Sequence, residues 1–336
     1  MKIGISAVMP VYNGERYLLN TLESLVRQSY QNFEVICIND ASTDRSSTIL
    51  SEYAGKINLS IINLESNIGL VPYLIKNYGI PNLRGEYFTY LSQDDFLSDD
   101  CFEKAYHRAQ QSDADVVIPD FVFYKNSHSD RKIIGLNGDR EVVLQGLQAF
   151  KYSLDWSIPG AALYRLSLIK KVGFEDFNMY ADEYSVRKFF LEAKTVVFSE
   201  GIFFYRTDNP DAITKRMKPA LFGKLYKEVK LLELVFVNAD KDTYNKRLEQ
   251  LINMFYDYTH TLLMQDFTKS DFLTARKEIK SAFSYFNELV RNRKYKFKSL
   301  SNRITLKYSI LRTSFAWFFL FCRFKFFIRH SLHPFD

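Results

Sequence analysis

Cysteine, glycine and proline are scarce in this chain of 336 residues, with three, 13 and eight copies respectively. The cysteines, at positions 37, 101 and 322, form no CxxC pair, so the sequence predicts neither a disulfide framework nor a zinc site. The low glycine and proline contents exclude a collagen-like or linker-like chain. The apolar stretch 3–9 is too short for a secretory signal, and we interpret it as a strand of a protein from a reducing compartment.

Hydrophobic residues, in contrast, make up 47% of the chain, which is enough for one large domain or two modest domains with a real core. The 30 phenylalanines and 22 tyrosines exceed the number that an ordinary core uses. Segment 291–336 contains eleven of the 45 Lys and Arg residues but one of the 39 acids, so it carries +10 and the rest of the chain carries −4. The positive charge is therefore a local feature of the C-terminal segment.

Short apolar runs alternate with helical patterns over the first 125 residues, which is typical of a parallel sheet built from β-α-β units. Predicted strands cover 3–11, 33–39, 57–63, 86–92, 115–124, 160–165 and 195–205. Predicted helices cover 15–28, 45–53, 99–111, 182–193, 220–238, 241–266 and 270–290, whereas 126–150 shows no regular pattern. We expect an α/β domain over 1–218, a helical domain over 219–290 and a basic tail over 291–336.

Ligands of an open parallel sheet bind beyond the carboxyl ends of its strands, so polar turns after the predicted strands are candidate site residues. These turns are 10–14, 39–44 and 92–95, and the acids at 182–183 add a fourth place. The sequence contains neither a G-x-G-x-x-G motif nor a P-loop, so a phosphate group must be held by other means. Carboxylates repel a diphosphate directly but bind it through a divalent cation, and the adjacent Asp94 and Asp95 suggest that arrangement.

Four segments match a known pattern in order and spacing: 8–15 (VMPVYNGE), 38–44 (INDASTD), 67–69 (NIG) and the acids at 94 and 95. Together they make the chain similar to glycosyltransferase family 2 over about its first 215 residues. The resemblance implies a GT-A fold, which is a Rossmann-like, mostly parallel α/β sheet flanked by helices, here followed by a helical C-terminal region. It also implies that 1–218 is a catalytic domain that binds a nucleotide-sugar and transfers the sugar with inversion.

The resemblance implies nucleotide contacts at six positions: Pro10, Tyr12, Asn13, Asp40, Asn67 and Asp94. A carboxylate only accepts hydrogen bonds, so Asp40 suits the imide N–H of uracil, and a ring such as Tyr12 can stack on any base. The alternatives are that Tyr12 is a surface aromatic and that Asp40 is a helix cap. Asp44 is equally open between capping and ligand contact.

The metal motif of the family is D-x-D, but this chain reads Ser92-Gln93-Asp94-Asp95 and lacks the first acid. We assign Asp95 as the ligand of Mn²⁺ or Mg²⁺, with Asp94 as its partner on the nucleotide side. The alternative is a loop of solvated acids without a metal.

Inverting transfer needs a carboxylate that removes the proton of the acceptor hydroxyl. The family supplies it from a Glu-Asp pair at the start of a helix, and here the order is reversed to Asp182-Glu183. Position favours Glu183, whereas residue type favours Asp182, which we prefer slightly. The alternative is that both acids only add charge at a helix N-terminus.

Basic and aromatic residues flank the expected reaction centre. Arg206, Lys215 and Arg216 follow the last predicted strand and are possible diphosphate contacts that would stabilise the leaving group. Trp156 and the turn at 158–161 are candidates for the acceptor side.

The tail combines basic and aromatic residues. Its longest apolar run, 315–322, has eight residues, whereas a membrane-spanning helix needs about twenty. Eight of the thirteen residues in 315–327 are aromatic, which suits the headgroup region of an anionic membrane, and we expect 300–330 to bind there. Nothing in the sequence indicates a nucleic-acid module. The remaining alternative is that the aromatics cover the catalytic domain or a second subunit, so an oligomer stays possible.

The sequence thus predicts an inverting, metal-dependent glycosyltransferase in the cytoplasm, peripheral on the inner face of the cell membrane. It would move a sugar from a nucleotide-sugar, with UDP preferred, to a hydroxyl of a lipid-linked or polysaccharide acceptor in cell-surface polysaccharide synthesis. The missing first acid and the reversed acids at 182–183 motivate an alternative, which is a nucleotide-binding membrane adaptor that has lost catalysis.

Overall fold

The computed structural model describes residues 3–125, 128–212, 215, 218–292 and 302–332. Contacts divide the chain into two compact units, Met1–Pro210 and Asp211–Asp336. Within the described residues, the strands belong to the first unit and the second unit is helical. The expected three-part division, with boundaries after 218 and after 290, stays a prediction.

The described strands form one mixed sheet. They are β1 Ile5–Val11, β2 Phe33–Asn39, β3 Leu59–Asn63, β4 Tyr87–Tyr90, β5 Phe96–Leu97, β6 Val116–Lys125, β7 His128–Ile133, β8 Leu163–Arg165 and β9 Val196–Arg206. The seven strands predicted from apolar runs are confirmed, and β5 and β7 are additional. Neither strand has a sequence signal, because β5 has two residues and β7 (HSDRKI) lacks an apolar run.

Helices of the first unit are α1 Glu15–Val26, α2 Ser46–Tyr53, α3 Val71–Leu74, α4 Cys101–Ser112, α5 Gly146–Ser153, α6 Leu166–Val172 and α7 Ala181–Glu192. Helix α3 continues into a π-helical turn, Ile75–Gly79, and a 3₁₀ turn, Ile80–Asn82. The predicted helices over 15–28, 45–53, 99–111 and 182–193 are confirmed. Helix α5 begins inside 126–150, where the sequence shows no regular pattern. Its start carries no usual signal, because its capping box uses Gln145 and Gln148 and the N-cap is not Ser, Thr, Asp or Asn.

The strand order is β3-β2-β1-β4-β8-β6-β9-β5, with β7 paired to β6. Strands β3, β2, β1 and β4 are parallel neighbours, and β6 is parallel to β9, whereas the other pairs are antiparallel. The carboxyl ends of β1, β2 and β4 therefore meet at one edge of the sheet, where ligands of such sheets bind. Strand β1 is buried along its whole length, as expected for a central strand covered on both faces.

A buried polar network joins β1, β2 and the turn before β4. Glu34, which is 1% exposed, accepts hydrogen bonds from Ser6 Oγ at 2.6 Å and from the backbone N–H of Arg84 at 2.7 Å. The side-chain Nε of Arg84 donates to the same carboxylate at 2.7 Å, and Ser6 Oγ accepts from the N–H of Gly85 at 2.8 Å. The buried charge of Glu34 is thus paired and hydrogen-bonded, which makes its burial tolerable.

One cluster of aromatic residues in the first unit packs across β5, β6 and β9. Phe96 stacks on Phe204 with ring centroids 4.6 Å apart, and Phe121 stacks on Phe203 at 5.5 Å. The ring of Tyr124 meets Phe96 edge-on at 4.9 Å. These contacts attach the short strand β5 to the rest of the sheet, and they thereby hold the turn between β4 and β5.

The second unit contains a 3₁₀ turn, Pro219–Gly223, followed by α8 Lys224–Asn238, α9 Lys241–Met264, α10 Lys269–Asn292, α11 Asn302–Leu311 and α12 Phe315–Leu332. The helices predicted over 220–238, 241–266 and 270–290 are confirmed. Phe255, Phe283 and Phe286 are buried between α9 and α10, together with Phe318 of α12. In the described part of the chain, no helix combines the length and the apolar character that crossing a membrane requires.

Removing the Ser6 hydroxyl tests the buried network. Ser6→Ala deprives Glu34 of one donor and leaves the buried N–H of Gly85 without its acceptor, so we expect the free energy of unfolding to fall by about 1–3 kcal/mol in urea denaturation. The matched control is Ser60→Ala on β3, where the residue is exposed, and it should change this free energy by less than about 0.5 kcal/mol. Equal stability of the two variants would show that the network does not stabilise the fold.

Candidate functional site

The turns after β1 and β2 are joined by hydrogen bonds from motif residues. Asn13, whose φ is +46°, accepts from the backbone N–H of Thr43 at 2.8 Å through its side-chain oxygen. Asp44 accepts from the N–H of Glu15 at 3.0 Å and from the N–H of Ser46 at 2.9 Å. Burial alone would raise the pKa of Asp44, but hydrogen bonds from the Ser46 side chain and from these backbone N–H groups lower it below its usual value. Asp44 therefore accepts from the first N–H groups of both α1 and α2.

Asp40 closes the turn at 67–69. Its Oδ1 accepts from the N–H of Ile68 at 2.8 Å, and its Oδ2 accepts from the N–H of Gly69 at 2.8 Å and from Asn67 Nδ2 at 2.9 Å. Gly69 has φ +68°, a conformation that residues with a Cβ rarely adopt. Asp40 is 2% exposed, and its partners lie in this turn and not at a helix start. The structure thus brings together Asp40 and Asn67, two of the predicted nucleotide contacts.

Gln93 joins the turn after β1 to the turn after β4. Its Oε1 accepts from the N–H of Tyr12 at 2.8 Å, and its Nε2 donates to the carbonyl of Tyr12 at 3.0 Å. Gly14 makes room for this contact, because a Cβ at that position would lie 2.5 Å from Gln93 Oε1. Tyr12 is thus held by its backbone while the residue stays 45% exposed. The neighbouring predicted contact, Pro10, is buried in β1.

Asp94 and Asp95, called the acidic pair below, lie between β4 and β5 in different environments. Asp94 accepts from Ser92 Oγ at 2.6 Å and from Asn209 Nδ2 at 2.7 Å. Asp95 is 4% exposed, and among the described residues the backbone N–H of Arg206 is the one donor to its carboxylate, at 2.9 Å. Burial, and then the charge of Asp94, raise the pKa of Asp95 well above its usual range. A cation beside Asp95 would favour its ionised form.

Arg206, at the end of β9, holds the acidic pair in place. Its Nε donates to the carbonyl of Asp94 at 2.8 Å, and its Nη2 donates to Asn20 Oδ1 at 2.7 Å. The guanidinium carbon lies 4.7 Å from the ring centroid of Tyr17 and 5.2 Å from that of Tyr124. The side chain is 9% exposed. Its contact with a diphosphate stays a prediction.

Asp182 and Glu183 occupy the first turn of α7, and both are partly buried. Burial, followed by the charges of Asp182 and the acidic pair, raises the pKa of Tyr90, at the end of β4, well above its usual value. Burial and then the charges of the acidic pair, Glu183 and Asp182 raise the pKa of Tyr205 to about 12. Both groups of acids therefore lie near Tyr90 and Tyr205.

Trp156 borders a cleft of about 500 Å³ that is also lined by Arg131 and Lys132. The residue is 40% exposed and has φ +63°, which is unusual for a bulky side chain. The guanidinium of Arg187 lies 5.7 Å from its ring centroid and donates to the carbonyl of Glu183 at 3.0 Å. Trp156 is therefore linked through Arg187 to the first turn of α7. Strained residues of this kind are concentrated at functional sites.

The two remaining predicted basic contacts lie after the first unit. Lys215 is exposed, and its backbone N–H donates to the carbonyl of Ala212 at 2.9 Å. Arg216 lies outside the described residues. Both roles stay predictions.

A family model described as Glycosyl transferase family 2 matches residues 6–173, which is half of the chain. The chain belongs to glycosyltransferase family 2. The family and the enzyme class predicted from the four motif segments are thereby confirmed.

Curated relatives match different shares of their own length. Glycosyltransferase GlyG of Streptococcus pneumoniae is 28% identical, over 73% of this chain and 89% of its own length. The uncharacterised glycosyltransferase EpsJ of Bacillus subtilis is 30% identical, over 67% of each chain. The poly(ribitol-phosphate) β-N-acetylglucosaminyltransferase TarS of Staphylococcus aureus is 24% identical, over 76% of this chain but 45% of its own length.

A solved structure resembles the fold over most of the chain. The structure of S. aureus TarS 1–349 in complex with UDP-GlcNAc has a TM-score of 0.61 at 18% identity, over 86% of this chain and 83% of that chain. The prediction of an α/β GT-A fold followed by a helical C-terminal region is confirmed.

The residues that sequence analysis missed are those that hold the site together. Gln93 occupies the variable position of the metal motif, where the family pattern requires no particular residue. In the sequence, only its place beside the acidic pair indicates a role at the site. Arg187 has the helical spacing of an ordinary α7 residue, and no motif marks it. Tyr17 and Tyr124 contact Arg206 from α1 and β6, which no local pattern could indicate.

Asp40→Asn tests whether this carboxylate holds the turn at 67–69. The amide keeps one acceptor oxygen but places an NH₂ group against backbone donors. We therefore expect the free energy of unfolding to fall by about 1–3 kcal/mol and the amide hydrogens of Ile68 and Gly69 to exchange faster. Asn67→Ala removes one side-chain donor, keeps both backbone hydrogen bonds and should have the smaller effect. Unchanged exchange in Asp40→Asn would contradict this role.

Proposed function

We propose that the protein is an inverting, metal-dependent glycosyltransferase that moves a sugar, a hexose by class, from a UDP-linked donor to an acceptor hydroxyl. One observation carries the proposal. The acidic pair and the acids of α7 both raise the pKa values of Tyr90 and Tyr205, which supports a shared site for a cation and a base. Inversion needs this combination, because the base acts on the side of the anomeric carbon opposite the leaving diphosphate.

The ends of β1 and β2 support a nucleotide there. An ionised carboxylate can accept about four hydrogen bonds. The Asp40 carboxylate accepts three from the turn at 67–69, so it can accept one more from the imide N–H of a uracil. The exposed ring of Tyr12 can stack on the base. Asn13 and Asn67 hold the turns that would surround it. The UDP-GlcNAc complex of TarS supports UDP as the nucleotide.

Asp95 fits Mn²⁺ or Mg²⁺, with Asp94 beside it, because a buried carboxylate with a raised pKa gains most from a positive charge. Among the described residues, no group of three or more His, Cys, Asp or Glu side chains could hold a metal. A cation bound here would therefore take further oxygen ligands from the diphosphate and from water. When bound, it would stabilise the charge of the leaving diphosphate. The proposal includes contacts to the diphosphate from Arg206, Lys215 and Arg216, which would also stabilise the leaving group.

An acid of α7 would take the proton of the acceptor hydroxyl. The charges of both acids act on Tyr205, and Asp182 stays the slightly preferred base. The cleft beside Trp156 supports a carbohydrate acceptor, because an aromatic ring offers an apolar face and Arg131 and Lys132 offer hydrogen-bond donors.

The proposal also covers the acceptor and the location of the protein. The acceptor is a lipid-linked molecule or a polysaccharide in cell-surface polysaccharide synthesis. Segment 300–330 binds the anionic surface at the inner face of the cell membrane. The charge of +10 over 291–336 supports such a surface. The acceptor named for TarS, poly(ribitol-phosphate), supports a polymer.

A second candidate is a nucleotide-binding membrane adaptor without catalysis. Ser92 in place of the first acid and the reversed order of Asp182 and Glu183 favour it. The two candidates predict the same nucleotide binding, and turnover separates them.

Thermal unfolding of the full chain with UDP-, GDP- and CDP-sugars, with and without Mn²⁺, tests the donor. A ligand that binds only the folded state stabilises it by about 2.7 kcal/mol at one hundred times its Kd, so binding is visible without an acceptor. We expect Mn²⁺-dependent stabilisation by a UDP-sugar, together with slow release of the sugar. Binding without release or transfer would favour the adaptor, and no response to any nucleotide would contradict the transferase.

Asp95→Asn locates the metal dependence. Burial already disfavours the charge of Asp95, and the amide still accepts from the N–H of Arg206, so the variant should fold. We expect it to lose the Mn²⁺-dependent part of the stabilisation. Asp99→Asn is the matched control, because its side chain is 62% exposed, and it should respond like the wild type. Full turnover of Asp95→Asn at limiting Mn²⁺ would contradict the metal assignment.

Asp182→Asn and Glu183→Gln identify the base. General bases contribute roughly 10²-fold or more, so the two rates of transfer should differ by about that factor, with Asp182→Asn the slower. Stabilisation by the donor should stay the same in both variants, which separates chemistry from folding and binding. Activity equal to that of the wild type in both would exclude these two residues as bases.

A further inference from the structure

Helix α12 has an inner apolar face that packs within the second unit. Phe318 contacts Tyr256 of α9 and Phe283 of α10, with ring centroids 5.2 and 5.4 Å apart. Phe315 contacts Phe283 at 5.4 Å, and Phe319 contacts Phe272 at 6.3 Å. Part of the aromatic tail therefore belongs to the core of its own unit.

The same helix has a second apolar face that is exposed. Trp317, Leu320 and Phe324 are 71%, 55% and 64% exposed. Their spacing of three and then four residues places them along one side of α12. Large apolar side chains that are exposed together in this way mark a contact surface. These three residues are called the outer face below.

The surroundings of the outer face are basic. Arg312, Arg323 and Lys325 are exposed, and the last two flank Phe324 in the chain. The sequence from 302 to 332 contains no Asp or Glu. An apolar stripe bordered by Lys and Arg is complementary to a surface with anionic headgroups above an apolar interior.

We propose that the outer face of α12 lies in the headgroup region of an anionic lipid membrane, with Trp317, Leu320 and Phe324 inserted and Arg323 and Lys325 at the phosphates. The proposal rests on the membrane attachment in the proposed function and names the residues that make it. The helix lies along the surface, because its inner face is committed to α9 and α10.

Charge favours lipid over a second copy of the chain. Two copies that met through the outer face would bring Arg323 and Lys325 of each chain together, and 302–332 offers no acid to pair with them. An anionic membrane presents the opposite charge to the same residues.

Tryptophan fluorescence tests the proposal directly, because the chain has two tryptophans. Trp156→Phe leaves Trp317 as the reporter, and Trp317→Phe leaves Trp156. With phosphatidylcholine vesicles that contain phosphatidylglycerol, we expect the emission of Trp317 to shift to the blue and to be quenched by brominated acyl chains. The emission of Trp156 should do neither.

Vesicle partitioning of the full chain measures the contribution of each part. Leu320→Ser and Phe324→Ser should each weaken partitioning by about tenfold or more. Val237→Ser is the matched control, because Val237 lies on α8, is 63% exposed and should leave partitioning unchanged. Arg323→Gln and Lys325→Gln should each cost about fivefold with anionic vesicles and nothing with phosphatidylcholine alone.

The outcomes separate this inference from the proposed function. Partitioning that all outer-face variants retain would place the membrane contact elsewhere and overturn the inference alone. No partitioning of the wild type would overturn both the attachment and the inference, whereas donor-dependent stabilisation would still support the transferase. A dimer that Leu320→Ser and Phe324→Ser abolish would assign the outer face to a second copy instead.

Discussion

Two adjacent carboxylates held in one turn, one of them buried, are the constraint on which the site depends. Asp94 and Asp95 repel each other, and burial adds to the cost of charging Asp95, so the turn needs fixed donors. Arg206 supplies them, with its backbone N–H at Asp95 and its guanidinium at the carbonyl of Asp94. The rings of Tyr17 and Tyr124 confine that guanidinium, and this explains part of the aromatic excess of the chain. Among the described residues, Asp95 thereby has one donor to its carboxylate, the backbone N–H of Arg206.

The motif residues at the ends of β1 and β2 form a framework of hydrogen bonds between turns. Turns beyond a sheet expose backbone N–H groups that no strand satisfies, and these groups need acceptors. Asn13, Asp40 and Asp44 provide acceptors between turns, and Gln93 accepts from and donates to the backbone of Tyr12. A ligand bound at these turns would find them already ordered, so less conformational entropy would be lost on binding.

The two sides of α12 in the aromatic tail have different surroundings. One side of α12 fills the core of the second unit through Phe315 and Phe318. The other side remains exposed among basic residues. The period of 3.6 residues distributes this aromatic-rich sequence over opposite faces of the helix. Core packing in the second unit therefore accounts for part of the phenylalanine in 315–327.

The sequence by itself determined seven strands, the main helices, the family and the places of the acidic turns, because periodicity, turn chemistry and motif spacing are local properties. It missed β5 and β7, which lack an apolar run, and α5, whose cap uses glutamine. It also did not predict the helices α3, α6, α11 and α12. Only the tertiary structure decided which side chains hold the site. The bond between Gln93 and Tyr12 spans 81 positions, and that between Arg206 and Asn20 spans 186. Such contacts depend on the order in which the strands pair. The strand order brings residues that are distant in the sequence to the edge of the sheet where the acidic pair lies.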